Sequence, residues 1–411
     1  MIYRPENVLF LGIGLYLTVF FLSPLDVLVP IEVGSFVYIF FTVMTLVLGS
    51  RLADYIRLAR LYQVPAMQLK RKESQLFWAM LFLGGFGNLL RLVDKYLLRG
   101  VGGLSGLEAR EVLIESSAGP LSLIGGVLYP FGYLPIFILL GSKVLPLTRW
   151  KLSLAVFIFL IPAIDALALF SRSFMLVALA MVYFGTSITL YQGRVFPRKL
   201  LLYGVGCLAF VLAMSILIFN MRLDEMSLDI SYSVFSSGYA YTVAPNTSVQ
   251  TILDEGGYWL GLLPIAQYYL HSIPEFQILW SMNETQSFSW GGLLFAPYVK
   301  FLAIFGIAAE PDLFELFPRV GVFTSFWGPL WVDFGWLGPI MTFFFGMFAR
   351  VLARSARAGH VGSYPLYTYF CIVLFFMPVA NFGISAQGMY VINAFVVFWF
   401  MTRKISRAVP I

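Results

Sequence analysis

Charge-free apolar stretches of bilayer-crossing length recur along this chain, at 33–50, 74–90, 116–142, 173–193, 200–221 and 361–402. A helix needs roughly 20 apolar residues to cross a bilayer core, so the last stretch is long enough for two crossings. Sixty per cent of the 411 residues are hydrophobic and 12% are charged. That is about half the charged share of an ordinary soluble domain, too little to cover a chain this size with polar surface. The pattern predicts an all-α polytopic membrane protein of about 10–12 transmembrane helices, folded as a single membrane-embedded domain over 1–411. Spans are expected near 8–22, 33–50, 75–91, 119–141, 152–170, 173–192, 200–220, 325–349, 363–380 and 388–402. The run from Val8 to Leu22 follows Arg4 and Glu6 and has no small-residue cleavage site behind it, so it reads as an anchor. Cys207 and Cys371 both fall inside expected spans, which excludes a disulfide framework and a cysteine metal site.

Orientation follows from the basic residues, which concentrate on the cytoplasmic side of bacterial membrane proteins. With the N-terminus inside, the segments 51–73, 143–151, 194–199, 350–360 and the C-terminal tail are inside too. Together with Arg4 they hold 19 of the 27 Lys and Arg but only three acids, Glu6, Asp54 and Glu73. Both termini are therefore expected in the cytoplasm, with a large late external loop at about 221–322. This loop is too apolar for simple solvation. Gly256–Leu270 and Trp290–Ile307 look membrane-embedded, either as a helical hairpin adding two spans or as re-entrant helices. Gly256, Gly257, Gly261, Pro264, Gly291, Gly292 and Pro297 favour the interrupted form, which is tolerated where protein or a water-filled cavity covers it.

Eight basic residues fall outside against this bias: Arg91, Lys95, Arg99, Arg110, Arg172, Arg222, Lys300 and Arg319. Cations near a bilayer usually have a partner or a task, although arginines at helix ends also snorkel to lipid phosphates. Arg91, Lys95 and Arg99 are spaced to share one face of a helix leaving the third span. Arg172 stands between two spans in Phe170-Ser-Arg-Ser-Phe174, with Asp165 placed seven residues earlier to pair with it. Arg222 follows the seventh span and Arg319 precedes the eighth. Collectively they suggest a site for an anionic group, since guanidinium forks match phosphate oxygens.

His360 lies in a basic inner loop and reads as structural, whereas His271 is the external histidine, in Gln267-Tyr-Tyr-Leu-His-Ser-Ile-Pro-Glu-Phe276. Histidine titrates near neutrality and suits proton transfer, so His271 is the candidate general base. Glu275 and the pair Asp254–Glu255 are its rivals, and a lone surface histidine is commonly structural. Tyr268 and Tyr269 sit beside it in sequence, and Tyr269 joins the candidate substrate-binding set. Walker, dinucleotide-binding and HExxH motifs are absent, and the external face carries no dense carboxylate cluster. No metal, cofactor or nucleic-acid partner is expected. Tyr258, Trp259, Trp280, Trp290, Trp327 and other aromatics crowd the external region, as interfacial belts or as sugar-stacking surfaces. Asn246-Thr-Ser and Asn283-Glu-Thr match a glycosylation pattern too short to be specific.

The stretch Phe317-Pro-Arg-Val-Gly-Val-Phe-Thr324, followed by Gly328-Pro-Leu-Trp-Val-Asp-Phe-Gly-Trp-Leu-Gly-Pro339, resembles the C-terminal signature of the Wzy-type oligosaccharide repeat-unit (O-antigen) polymerases. The Arg91–Arg99 stretch and Ser171-Arg-Ser173 are similar to weaker features of that family, as is the layout of spans with one large late loop. The resemblance implies a membrane-embedded, metal-independent glycosyltransferase of GT-C type. Its substrates would be an undecaprenyl-diphosphate-linked glycan donor and a lipid-linked repeat-unit acceptor. The transfer would lie at the periplasmic face of the bacterial inner membrane, in contact with membrane lipid and with a chain-length-regulating co-polymerase as a further partner. Arg91, Lys95, Arg99, Arg172, Arg222 and Arg319 would then bind the diphosphate, with His271 or Glu275 in the catalytic role. The O-antigen ligase shares this layout. A lipid-linked oligosaccharide flippase is the alternative from another class, but repeated halves and cations along a central path are missing.

Overall fold

The computed structural model describes residues 4–56, 66–116, 119–142, 145–191, 198–227, 234–235, 238–246, 262–282, 288–309, 312, 316–317, 319, 321–385 and 388–402. Each expected span coincides with helix. In order these are α1 (Pro5–Leu22), α2 (Val33–Leu52) and α3 (Ala66–Leu92), then α5 (Pro120–Leu128) with α6 (Leu134–Gly141) as one broken crossing. After them come α7 (Arg149–Ala168), α8 (Ser173–Tyr191) and α9 (Arg198–Glu225). The last three segments are α13 (Trp327–Phe334) with α14 (Gly338–Arg357), α15 (Ser363–Phe375) and α16 (Gly388–Thr402). A short α4 (Gly106–Glu115) lies in the connection after α3. Seven of these segments are long and apolar enough to span a membrane, and α8, α15 and α16 are shorter apolar helices. The chain is thus an all-α membrane-embedded protein.

Packing separates helices that face lipid from those that form the core. Nearly every side chain of α15 is buried, Tyr367, Tyr369, Ile372 and Leu374 among them, as expected for a helix apolar all round. By contrast α9 buries only 11% of its most apolar stretch, leaving most of that stretch outside the protein core. The tightest pair is α2 with α14. A Cβ on Gly49 would stand 2.0 Å from the Phe343 carbonyl oxygen, and one on Gly346 would stand 2.1 Å from that of Leu46. The Thr45 and Thr342 hydroxyls hydrogen-bond beside this contact at 2.8 Å. Small residues that let backbones touch, with a hydroxyl pair for adhesion, are how membrane helices associate without a hydrophobic driving force.

Contacts gather the connections after α3, α7 and α9 at one end of the bundle, where Lys95 pairs with Asp165 and Arg222 donates to the Phe170 carbonyl. That end also carries the two-stranded antiparallel sheet of β1 (Leu25–Val27) and β2 (Val243–Pro245), with Leu25 opposite Pro245. Three short helices complete it: α10 (Leu263–Leu270), α11 (Ser272–Ser281) and α12 (Ala296–Ile304). At 1.5 Å per residue none exceeds about 15 Å, half a bilayer core. Among the described residues, then, the late segment supplies no additional crossing. Pro264, Pro274 and Pro297 fall in the first turns, where a missing N–H is tolerated.

Candidate functional site

The junction of α10 and α11 places His271 and Glu275 one turn apart, with the Glu275 N–H donating to the His271 carbonyl at 2.9 Å. Both side chains are fully buried. His271 Nδ1 lies 3.2 Å from the Gln267 carbonyl and Nε2 accepts the Phe323 N–H at 3.3 Å, which puts the ring proton on Nδ1. Tyr239 covers the ring at a centroid distance of 4.5 Å, with Tyr268 at 5.7 Å. Burial pushes the His271 pKa down to about 4, with a smaller push from the Arg319 charge, so the imidazole is neutral near pH 7. Neither ring nitrogen can take a proton from substrate without breaking one of these bonds.

Arg319 donates through Nε to Glu275 Oε2 at 3.3 Å and through Nη2 to Oε1, while Nη1 reaches the Gly238 carbonyl. Its guanidinium also stands 5.4 Å from the centre of the Tyr241 ring. One helical turn, His271 to Glu275, therefore holds the 319–323 segment at both ends.

Three more guanidiniums approach the same place. The chain between α7 and α8 turns at Phe170, whose φ of +52° is unusual for a bulky residue. This turn presents the Phe170 carbonyl to Arg222, in the last turn of α9, and packs the Phe170 ring on Gly106 at the start of α4. Arg172 follows at the head of α8, 4.8 Å from the Tyr268 ring centre. Burial raises the Tyr239 hydroxyl above its ordinary value, and the charges of Arg172, Arg222, Arg110 and Arg319 all oppose that shift. The first three act likewise on Tyr268, whose burial pushes it up to about 12. Among the described residues no carboxylate pairs with Arg110, Arg172 or Arg222, and the Arg222 Nε has no hydrogen-bond partner. Among the described residues these four cations have one carboxylate partner, Glu275. Such a surplus of positive charge could receive an anionic group.

No family model, curated protein or solved structure matches this chain.

The residues of the 317–339 stretch instead take their meaning from geometry. Asp333 is buried and its carboxylate accepts the N–H groups of Leu293 and Leu294, at 3.0 and 2.8 Å, and the Ser289 hydroxyl. It therefore ties the 289–294 turn to α13. Gly335 ends α13 at φ +49° and ψ −130°, a conformation open essentially to glycine, and a Cβ on Gly338 would stand 2.0 Å from the Tyr38 hydroxyl. Beside Arg319 a pocket of about 190 Å³ is edged by Thr324, Asn381 and Ser385, whose hydroxyl oxygen has no partner among the described residues.

Other expected members lie elsewhere. Arg91, Lys95 and Arg99 do not share a face, because α3 widens into π-helical turns over Val93–Leu98 and loses the four-residue register. Arg91 is buried under Tyr129, 4.2 Å from the ring centre, and beside Phe174. Lys95 pairs with Asp165, and Arg99 pairs with Asp94 at 2.9 Å. Asp165 is therefore not the partner of Arg172. The helix they would share ends at Ala168, and the Phe170 turn rotates Arg172 away. Tyr269 points to the other side of α10, packing on Tyr16 at 5.9 Å, its hydroxyl without a partner among the described residues. His360 accepts the Ser363 N–H at 3.2 Å, a structural bond within the turn before α15. Asp254, Glu255, Gly256, Gly257, Gly261 and Asn283 lie outside the described residues. Tyr239, whose hydroxyl feels the charge of four guanidiniums, carried no signal in its own sequence neighbourhood; only the side on which Arg110, Arg172 and Arg222 fall could have suggested it. Among the described residues no three His, Cys, Asp or Glu side chains gather into a metal site.

Proposed function

We propose that this protein is a glycosyltransferase of the O-antigen polymerase type, elongating a glycan carried on undecaprenyl diphosphate at the periplasmic face of the bacterial inner membrane. The observation that carries the reading is the approach of Arg172 to the Tyr268 ring, of Arg222 to the Phe170 carbonyl and of Arg319 to Glu275 and the Gly238 carbonyl at one end of a membrane-embedded bundle, with Glu275 their one paired carboxylate among the described residues. The asymmetry of basic residues, 19 on one side and eight on the other, supports placing this end outside and both termini in the cytoplasm.

In this reading the acceptor sugar hydroxyl attacks the anomeric carbon of the donor glycan. The carbon–oxygen bond to the diphosphate breaks, and its electron pair leaves with the diphosphate oxygen. Guanidiniums already in place meet that developing charge without reorganising, which is the largest single source of catalysis in many enzymes. A bound diphosphate competes with Glu275 for Arg319, and the released carboxylate takes the proton of the acceptor hydroxyl. His271 acts as a positioning residue, fixing the segment that carries Arg319 through the Phe323 N–H. Exposed aromatics at the same end, Trp290 and Trp336 among them, offer faces for the sugars.

Purified protein given undecaprenyl-diphosphate-linked repeat units tests the assignment. A ladder of products, each longer by one repeat unit, is expected. Transfer of glycan only to a lipid A core acceptor would make it a ligase, and translocation across a vesicle membrane without lengthening would make it a flippase.

A further inference from the structure

A second cavity, of about 280 Å³, adjoins the Arg319 pocket and shares two walls with it, Pro329 and Asn381. The two chambers differ sharply in chemistry. The first is edged by a guanidinium and hydroxyls. The second is walled mainly by hydrocarbon from α14, α15 and α16, with Phe345, Phe370 and Ile392 facing it. The one carboxylate in its wall, Asp333, has its oxygens engaged by two backbone N–H groups and a hydroxyl. Phe295 and Met341 at its edge are 47% and 40% exposed, and Met341 belongs to a membrane-spanning segment. The cavity therefore opens sideways, toward lipid.

An apolar chamber beside one edged by a guanidinium suits an amphiphile with a hydrocarbon chain and an anionic head. We propose that this groove holds the head-proximal isoprene units of the polyprenyl diphosphate substrate, with the diphosphate turned toward Arg319. The inference rests on the proposed function for the identity of the head group. A volume just under the usual 300–1,000 Å³ of small-molecule pockets suits a short length of chain and leaves the remainder in the bilayer. Because lipid tails are as apolar as the groove, the chain gains little affinity there. Its use is registration: a chain held at a fixed place beside the pocket sets the position of the scissile bond relative to the guanidiniums.

The test uses the full-length protein in lipid nanodiscs with a polyprenyl diphosphate carrying a photoactivatable diazirine on its second isoprene unit. Crosslinks are expected on α14, α15 and α16 within the groove. Ile392→Trp, which fills the groove, should reduce them several-fold, and Met341→Trp, at the half-exposed rim, should do so without disturbing the core. Both variants should also lose the preference for long over short prenyl chains in glycan lengthening. Crosslinks elsewhere, such as on the lipid-facing side of α9, or labelling unchanged in both variants, would overturn the proposal. So would labelling suppressed by bilayer phospholipid and untouched by unlabelled polyprenyl diphosphate. Crosslinking reads binding alone, so absence of lengthening with labelling intact would count against the polymerase reading and leave the groove standing.

Discussion

Glu275, fully buried, and Arg319, half-buried, form a two-point ion pair that joins α11 to the segment before α13. Removing one partner of such a pair strands an uncompensated charge, at a cost of about 3–5 kcal/mol. Arg319→Ala is therefore expected to destabilise the protein by that order. Adding Glu275→Gln to it should recover much of the loss without recovering glycan lengthening. Unfolding of the purified variants measures the first effect. A single Arg319→Ala variant as stable as the wild type would mean that the pair contributes nothing.

His271 links stability to pH. Its folded pKa, about 4, lies below the ordinary 6.5, so the proton belongs to the unfolded chain. Stability from the neutral ring is full above about pH 6.5 and falls as the pH drops toward 4, by at most an order of 3 kcal/mol. His271→Gln does not titrate and should flatten this acid limb. Melting temperatures recorded between pH 4 and 7 report it. A wild-type acid limb equal to that of the variant would assign the pH dependence to other groups.

Arg172 and Arg222 carry charge that no described carboxylate neutralises. Replacing either with Ala should lower lengthening by roughly 10²–10³-fold, the usual worth of one preorganised donor, with protein level unchanged. Lys should rescue poorly because an ammonium lacks the fork that spans two phosphate oxygens. On the proposed reading guanidiniums supply the charge, so lengthening should persist in EDTA. Loss in chelator restored by magnesium would contradict this.

Much of the bundle was legible in the sequence because a bilayer imposes length. Ten apolar segments near 20 residues read as crossings; each coincides with helix, and seven of them are long and apolar enough to span a membrane. What escaped was set by backbone events too local to leave a periodicity. The π-helical turns at Val93–Leu98 scattered Arg91, Lys95 and Arg99, the Phe170 turn parted Asp165 from Arg172, and β1 and β2 are three residues each. The candidate site was half legible. Arg172, Arg222 and Arg319 stood out as cations on the unfavoured side, whereas their gathering around Tyr239 depends on four distant segments meeting.

Close packing of α2 on α14 gives a prediction independent of function. At Gly346 an added methyl meets backbone that cannot rotate away, so Gly346→Ala should cost at least the 1–3 kcal/mol typical of overpacking. Gly14→Ala, with open space around it, should cost nothing comparable. Comparable melting temperatures for the two variants would refute the close approach.

Orientation is open to direct labelling. In a background lacking Cys207 and Cys371, a cysteine at Asn246 should react with an impermeant thiol reagent in intact spheroplasts. Reaction only after lysis would place the guanidinium cluster in the cytoplasm and remove the periplasmic assignment.

The central claim is that Arg172 and Arg222, with Arg319, hold a lipid diphosphate. Its most direct test is the affinity of purified protein for undecaprenyl diphosphate, measured at two salt concentrations for the wild type and for the Arg172→Ala/Arg222→Ala variant. The wild type should bind more tightly than it binds undecaprenyl monophosphate and weaken as salt rises. The double variant should lose at least about 2.8 kcal/mol, a hundredfold in Kd, together with the preference for diphosphate. Equal affinity in wild type and double variant, with both folded, would contradict the account.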